Sequence, residues 1–343
     1  MRSRERVIRA IEFKEPDRVP ITHATLPGAF LRYGEALEEL YARYPSDVLD
    51  VGSATFGEYG SQKGVPSRDP WGSLWVRYTD EHKGQVVFHP LRDWEKLADY
   101  EPPDTASETV IARIKKKLEE NRGEKYTLAD GDTLWQRMFY LHGYRETLED
   151  LLLYPERCAE LRDMILSVMV RRVEKLCQLD SLDGVHFRDD WGTQQALMIS
   201  PALWREFFKP AYVRLFSLVR NAGKHVWFHS DGVIDAIIPD LLEIGVQVLN
   251  PQVEVMGRER VAVLCAGKVC IQADVDRQQL LPFGTPEEVR AAVRADIDAF
   301  GRFGGGYIGR GEVASDVPLE NVEALLDELV RYGDYQKTKE GGL

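Results

Sequence analysis

The feature that most constrains the fold is an alternation of short apolar segments with amphipathic helical segments in the second half of the chain. The apolar segments have the length of buried strands, and apolar side chains at helical spacing fill the stretches between them. This alternation predicts a parallel sheet whose strands are joined by helices. With three similar segments nearer the start, about eight strands are predicted. They cover residues 19–21, 48–49, 126–128, 184–187, 225–228, 246–250, 269–271 and 306–308.

About eight strands favour a closed (βα)8 barrel over an open doubly wound sheet. There is no GxGxxG after the first predicted strand and no GxxxxGK[ST] in the chain, so no nucleotide cofactor is expected. Residues 52–104 contain prolines, glycines and aromatic residues without a helical pattern, and they are predicted to form a barrel insertion, either a lid or a small hairpin. The whole chain, 1–343, is interpreted as one barrel domain.

Local signals mark several helix ends. Ser200 followed by Pro201 is typical of a helix start, and Pro210 is expected to break the helical pattern that follows. Thr285 with Glu288 three residues later predicts a capping box.

Composition excludes some classes of partner. The formal net charge is −12, with 44 Lys and Arg against 56 Asp and Glu, which argues against nucleic-acid binding. No apolar run approaches the roughly 18 residues that span a bilayer, so no membrane association is expected. The first 13 residues are rich in charge and the four cysteines form no CxxC pair. A reducing cytoplasm is therefore the expected location.

Polar side chains follow the predicted strands of the second half, which is where active sites lie in α/β barrels. They are Asp189, Asp190, Gln194, His229, Asp231, Asn250, Gln252, Asp274, Arg310 and Glu312. Some of the acids have an alternative role as helix caps. Trp135 and Arg137 end or follow another predicted strand, where they either form an aromatic wall with one cation or simply pack.

His229 and Asp231 stand two residues apart, so in a strand they point to the same side. Together they can converge on a metal ion or on one atom of a substrate. A histidine and one carboxylate are too few ligands for Zn²⁺, which takes three or four. Without metal, the same pair can act as general acid and base.

Several motifs resemble the uroporphyrinogen decarboxylase superfamily: EPDRVP at residues 15–20, DDWGTQ at 189–194, FHSDG at 228–232 and LNP at 249–251. The resemblance extends over nearly the whole chain. It implies a single (βα)8 barrel that is frequently dimeric, so a homodimer is expected. It also implies one of two activities: cofactor-free tetrapyrrole decarboxylation, or zinc-dependent methyl transfer involving corrinoid proteins.

The chain departs from both patterns. The arginine-rich loop that follows the first strand in the decarboxylases is ITHATLP here, at residues 21–27. The family's aspartate after the second strand corresponds to Asp47, and its serine in the fourth strand corresponds to Asp189. The methyltransferases' His-x-Cys zinc motif matches His229-x-Asp231, and their distant cysteine falls at Gly311, beside Glu312.

The leading hypothesis is a corrinoid-dependent methyltransferase-like enzyme that demethylates a small O- or N-methylated substrate, with the corrinoid carried by a partner protein. The first alternative is decarboxylation of uroporphyrinogen or a smaller acid, and the second is a non-catalytic ligand-binding barrel. Catalytic roles are predicted for His229, Asp231, Asp189 and Asp47. Zinc or another divalent ion is expected on His229, Asp231 and Glu312. Substrate contacts are expected from Asp190, Gln194, Asn250, Gln252, Asp274, Trp135, Arg137 and Arg310.

Overall fold

The computed structural model describes residues 1–52, 62–79 and 84–335. Eight parallel strands form a nearly closed barrel in the order β1-β11-β10-β9-β8-β7-β6-β2, and three antiparallel strands form a small second sheet. The strands are β1 (Ile21–Thr25), β2 (Val48–Gly52), β3 (Ser67–Arg68), β4 (Leu74–Val76), β5 (Gln85–Phe88), β6 (Tyr126–Asp130), β7 (Gly184–Arg188), β8 (His225–Ser230), β9 (Val248–Pro251), β10 (Cys270–Asp274) and β11 (Tyr307–Val313).

Helices follow the barrel strands and cover the outside of the sheet. They are α1 (Ser3–Ile11), α2 (Pro27–Tyr33), α3 (Glu35–Arg43), α4 (Glu108–Asn121), α5 (Trp135–His142), α6 (Tyr144–Leu153), α7 (Pro155–Cys177), α8 (Pro201–Phe207), α9 (Lys209–Asn221), α10 (Ile238–Glu243), α11 (Val253–Met256), α12 (Arg258–Cys265), α13 (Leu280–Phe283), α14 (Pro286–Phe300) and α15 (Leu319–Arg331). In the parts of the chain that the structure describes, no helix has both the length and the hydropathy that a bilayer span requires.

The predicted barrel and its eight strands are confirmed. The helix signals also hold: the Ser200 hydroxyl caps α8, and Thr285 and Glu288 form the reciprocal capping box of α14. The helical pattern is interrupted just before Pro210, where α8 ends and α9 begins. One prediction is wrong, because residues 135–142 form helix α5 and do not continue a strand.

The predicted insertion at 52–104 contains the small sheet β3–β5 and a short 3-10 helix at Trp94–Lys96. Its segments 53–61 and 80–83 lie outside the described residues. The insertion connects β2 to α4, so it begins at the carboxyl end of a barrel strand. This is the end at which α/β barrels carry their sites.

Apolar side chains close the opposite end of the barrel. A cluster separate from the main core fills the lower interior with residues from the strands and from helix α1. Its buried members are Val7, Ile11, Tyr126, Leu128, Trp227, Val248, Cys270 and Ile308. Because this layer fills the lower interior of the barrel, the polar side chains that face the lumen near the mouth lie above it.

Asp47 joins the strands at that closed end, which corrects its predicted catalytic role. Its carboxylate accepts hydrogen bonds from Arg6 Nη1 at 2.8 Å, from Arg18 Nη1 at 2.9 Å and from the Ile21 backbone N–H at 2.8 Å. The residue precedes β2 and its side chain is fully buried. Asp47 therefore stabilises the fold at the amino end of the barrel, on the face away from the mouth.

We expect Asp47→Asn to lower the free energy of unfolding by about 3–5 kcal/mol, because it leaves two buried guanidinium groups without their shared carboxylate. Denaturant titration measures the effect. Asp93→Asn is the matched control, since Asp93 pairs with Lys96 at an exposed site and should change stability by about 0.5 kcal/mol or less. Equal effects of the two substitutions would contradict the assigned role.

Asp17 gives the same cluster a dependence on pH. Although burial opposes the shift, hydrogen bonds from Arg6 at 2.6 and 2.7 Å lower the pKa of Asp17 to about 2. A lowered pKa contributes stability above the unfolded value, and this contribution is lost as pH falls from about 4 to about 2. We expect a loss of about 1 kcal/mol over that window after solvent screening. Asp17→Asn should remove this part of the acid dependence in denaturant titrations at several pH values.

Candidate active site at the carboxyl end of the barrel

The candidate site is built around His229, near the end of β8. His229 is in register with Arg188 of β7 on one side and with Asn250 of β9 on the other. Residues in register on neighbouring strands point to the same face of a sheet. The three side chains therefore point together into the barrel mouth.

Asn250 fixes which nitrogen of His229 carries the proton. The Asn250 amide nitrogen donates to the Gln272 carbonyl at 2.7 Å, so its amide oxygen faces the histidine. His229 Nδ1 lies 2.7 Å from that oxygen and 3.0 Å from the Asn250 carbonyl, and both atoms are acceptors. Nδ1 must then be the donor, and in the neutral ring Nε2 keeps its lone pair. An anchored Nδ1–H is also what orients histidines that bind metals.

Two carboxylates face the free nitrogen. His229 Nε2 lies 3.5 Å from Asp190 Oδ1 and 3.6 Å from Asp231 Oδ1. One ligand atom from each of the three residues lies within 4.8 Å of the other two. The three side chains are half-buried, so the group is reachable from the mouth. The arrangement can hold a cation, or it can hold a proton shared among the three groups.

The pKa values of the two carboxylates, Asp190 and Asp231, are shifted in opposite directions. Burial raises the pKa of Asp190 above its ordinary range, and the neighbouring negative charge of Asp231 adds to the rise. Burial also acts on Asp231, but the positive charges near it, Arg277 among them, outweigh burial and lower its pKa. Asp231 is thus the more acidic of the two carboxylates, and Asp190 is the one that takes up a proton more readily.

Two glycines lock together the loops that carry these carboxylates. A Cβ added to Gly232, where φ is +77°, would lie 2.2 Å from the Gly192 backbone. A Cβ on Gly192 would lie 2.5 Å from the backbone of Gly232. The Asp231 backbone N–H also donates to Asp190 Oδ1 at 3.0 Å. The spacing of the two carboxylates is therefore determined by backbone packing.

Two arginines border the site on the side of β10 and β11. Arg277 donates to Asp231 at 2.7 Å and to Glu312 at 3.1 Å. Arg310 pairs with Asp274 and lies 3.6 Å from Glu312. Sequence reasoning missed Arg277; the signal was a lone basic residue after Asp274 and Asp276 in the loop that follows β10.

The charges of this group leave room for a divalent cation. Asp190, Asp231, Asp274 and Glu312 supply four carboxylates, whereas Arg277 and Arg310 supply two guanidinium groups; the third arginine of the mouth, Arg188, is balanced by its own partner Asp130. The surplus of two negative charges equals the charge of one divalent ion. One imidazole nitrogen and two carboxylate oxygens form a donor set that suits Zn²⁺ or a harder divalent metal.

The structure corrects the predicted metal ligands. Glu312 does not belong to the compact group, because both of its near partners are arginines, and Asp190 takes its place beside His229 and Asp231. Gly311 cannot supply a ligand either. A Cβ built there lies 2.8 Å from Leu325 of α15, so position 311 faces the helix layer and not the barrel mouth.

Asp189 has a different role from the predicted catalytic one. Its side chain is fully buried and accepts hydrogen bonds from the Leu134 and Gln136 backbone at 2.8 and 3.0 Å, from the Tyr212 hydroxyl at 2.7 Å and from Thr133. Burial raises its pKa to about 6, although these donors oppose the rise. Both oxygens are taken up in holding the start of α5, so Asp189 does not reach the barrel mouth.

Trp135 and Arg137 pack away from the barrel mouth, which corrects their predicted substrate contacts. Trp135 is fully buried and stacks on Trp191, with 4.9 Å between ring centroids. Arg137 is 1% exposed, pairs with Asp69 of the insertion at 3.2 Å and lies over the Trp71 ring. Of the two roles considered, packing is the one observed, and Arg137 anchors the insertion to the barrel.

The other predicted contacts divide into two groups. Asn250, Asp274 and Arg310 line the mouth beside His229. Gln252 is buried and accepts a hydrogen bond from the Gly232 backbone at 3.0 Å, so it supports a loop. Gln194 is exposed in the loop after β7, and the structure brings it into no contact with the His229 group.

The fold and the site together define an α/β-barrel protein with a polar centre at the carboxyl ends of its strands. The family model described as uroporphyrinogen decarboxylase (URO-D) matches residues 75–332, which is most of the chain. The chain therefore belongs to the uroporphyrinogen decarboxylase family. No curated protein matches it significantly.

One solved structure shares the barrel, and a second superposes less well. A methyltransferase from Methanosarcina mazei superposes with a TM-score of 0.75, covering 97% of this chain and 99% of that chain at 14% identity. A B12-independent methionine synthase from Shewanella sp. W3-18-1 gives a TM-score of 0.49, covering 95% and 100% at 9% identity. At such identities the likeness concerns the fold alone.

We expect Arg137→Met to loosen the insertion, because Asp69 and Asp132 would lose their buried cation. The free energy of unfolding should fall by about 3 kcal/mol. Amide hydrogen exchange in β3 and β4 should accelerate, while exchange around His229 stays unchanged. Arg145→Met is the matched control, since Arg145 pairs with Glu149 at an exposed site. Unaltered exchange in the small sheet would refute the anchoring role.

Proposed function

We propose that this protein is a methyltransferase-like member of the family that removes a methyl group from a small O- or N-methylated substrate. The observation that carries the proposal is the arrangement of His229, whose Nδ1–H is held by Asn250 and whose Nε2 faces Asp190 and Asp231. This is a centre that can hold a proton or a divalent cation for a substrate heteroatom. Family membership and the fold shared with a methyltransferase support the reaction class.

The chemistry explains why such a centre is needed. When a methyl group leaves oxygen or nitrogen for a nucleophile, the electron pair of the broken bond remains on the heteroatom. That heteroatom must receive a proton or bind a cation, or the leaving group is too basic to depart. His229 and Asp190 lie where a proton can be held, and Asp231 keeps a negative charge that stabilises a protonated imidazole.

The same three residues would hold a divalent metal ion. A bound ion would act as a Lewis acid on the substrate heteroatom. Carboxylate oxygens in place of thiolates make the donor set harder, which favours an oxygen or nitrogen substrate over a thiol. Asn250 would orient the histidine ligand, and Arg277 would hold Asp231 through Oδ1, the oxygen that also lies 3.6 Å from His229 Nε2.

The methyl acceptor in this proposal is a corrinoid carried by a partner protein. A strong nucleophile is required, and none of the described cysteines lies at the site: Cys158, Cys265 and Cys270 are buried, and half-buried Cys177 ends helix α7, where its thiol contacts the Leu218 carbonyl. The open mouth leaves the His229 group reachable from outside the barrel.

Decarboxylation receives no separate support from the geometry. Asp47, through which the resemblance implied tetrapyrrole binding, lies at the closed end of the barrel with Arg6 and Arg18. Of the three arginines of the mouth, Arg277 and Arg310 are paired with the site's own carboxylates and Arg188 is paired with Asp130, so the mouth lacks the set of open cations that a tetrapyrrole with many carboxylates requires. The second alternative, a non-catalytic ligand-binding barrel, is distinguished from an enzyme by whether a bound methyl donor is turned over.

We expect metal-free protein to bind about one equivalent of Zn²⁺ or Co²⁺ by calorimetry. His229→Ala and Asp231→Asn remove a ligand each and should weaken binding by at least about a hundredfold, whereas Asn250→Ala, which only orients the histidine, should weaken it by about 10- to 100-fold. His89→Ala is the matched control, because His89 lies in the insertion and contacts the Tyr140 carbonyl. The Co²⁺ absorption spectrum reports coordination independently of activity.

Methyl transfer is followed as conversion of free cob(I)alamin to methylcobalamin with methoxylated and N-methylated donors. His229→Ala should abolish turnover and His89→Ala should not. Full activity in His229→Ala would refute the proposed site. Donor binding without turnover in any metal state would identify a ligand-binding barrel instead.

A further inference from the structure

We propose that Arg188 and His186 form a carboxylate-binding subsite in the barrel lumen, so that the methyl donor is a small methylated carboxylic acid. This inference rests on the proposed function, because it names the substrate class for the same mouth. It is carried by two buried polar atoms that have no hydrogen-bond partner among the described residues, and by the contrast between Arg188 and the other two arginines of the mouth.

Arg188 is the mouth arginine with spare hydrogen-bonding capacity. Its Nη2 donates to Asp130 at 2.8 Å, and its Nε is shielded from solvent without a hydrogen-bond partner in the described parts of the chain. Arg277 and Arg310, by contrast, each interact with two carboxylates. The side chain of Arg188 is 28% exposed, so a ligand entering the mouth can reach it.

His186 lies one inward-facing position below Arg188 on β7. Its Nε2 is likewise shielded from solvent without a hydrogen-bond partner among the described residues. Burial, strengthened by the positive charges of Arg188 and Arg310, holds the pKa of His186 far below its ordinary value, so the ring is neutral. A neutral ring with its proton on Nε2 is a donor aimed into the lumen.

Two donors on one face of a strand suit an anionic acceptor. The Arg188 Nε–H and the His186 Nε2–H can each take one oxygen of a carboxylate, and such charge-assisted bonds are among the strongest in proteins. Leaving both donors buried and unpaired is unfavourable, because neither recovers the hydrogen bonds it had with water. A substrate carboxylate would satisfy both donors.

The register limits the length of the substrate. Arg188 pairs with His229 across β7 and β8, and His186 pairs with Trp227 one layer lower. Neighbouring strands are about 4.8 Å apart, and successive residues on one face are about 7 Å apart along the strand. A carboxylate at Arg188 and a methylated atom at His229 are therefore separated by only a few bonds. Short methoxy acids and N-methylated amino acids have this length.

The test measures binding and not turnover, so it does not depend on methyl transfer. Calorimetry compares methoxyacetate with its neutral isostere 2-methoxyacetamide, and 3-methoxypropionate with its amide. The wild-type protein should prefer each carboxylate by at least about tenfold. Arg188→Met should abolish that preference while leaving amide binding unchanged, and Arg188→Lys should restore part of it.

Further variants separate this inference from the proposed function. His229→Ala should keep the carboxylate preference even where it abolishes methyl transfer. Arg188→Met should keep the metal content of the wild type, although it lowers the thermal midpoint because buried Asp130 loses its cation. His186→Phe should reduce carboxylate affinity without altering metal binding. Equal binding of acid and amide by the wild type, a preference that survives in Arg188→Met, or no binding of any carboxylate would each overturn the subsite.

Discussion

The rest of the structure depends on the closure of the barrel, and the contacts of Asp47 show how closure is achieved. The backbone N–H of Asp47 donates to the Ile21 carbonyl, while its carboxylate accepts from the Ile21 N–H. Its own carbonyl accepts from Tyr126. One residue thus ties β1, β2 and β6 together at the amino end. The guanidinium groups of Arg6 and Arg18 balance the charge of the Asp47 carboxylate, so an ion cluster can be buried at the closed amino end of the barrel.

Closure at one end explains the chemistry at the other. Each strand delivers alternate side chains to the lumen, and the lower positions are apolar while the upper positions are polar. On β8, Trp227 belongs to the floor and His229 to the site. On β9, Val248 and Asn250 divide in the same way. The strand residues of the site are therefore the next inward-facing positions above the apolar floor. The loops that follow the strands add Asp190, Asp231 and Arg277.

The sequence was sufficient for the barrel, because strand and helix periodicities are local patterns that persist over many residues. It was also sufficient for His229 and Asp231, which share one strand end. It could not distinguish Asp189 from Asp190, since adjacent residues point in opposite directions and only the structure shows which one faces the lumen. Arg277 was missed because its partners, Asp231 and Glu312, belong to other strands. Contacts between residues that are distant in the chain produce no periodic pattern in the sequence, so they cannot be predicted from it.

The contact between Gly192 and Gly232 has a consequence for how this protein can change over time. Neither position admits a side chain unless the backbone of the other loop moves. The loops after β7 and β8 must therefore change together in evolution. A lineage that alters the spacing of Asp190 and Asp231 must revise both loops together. Single substitutions in the other mouth loops remain open to selection. Sequence variation in the barrel mouth should therefore concentrate on the β10 and β11 side, while the backbone that sets the spacing of Asp190 and Asp231 stays the same.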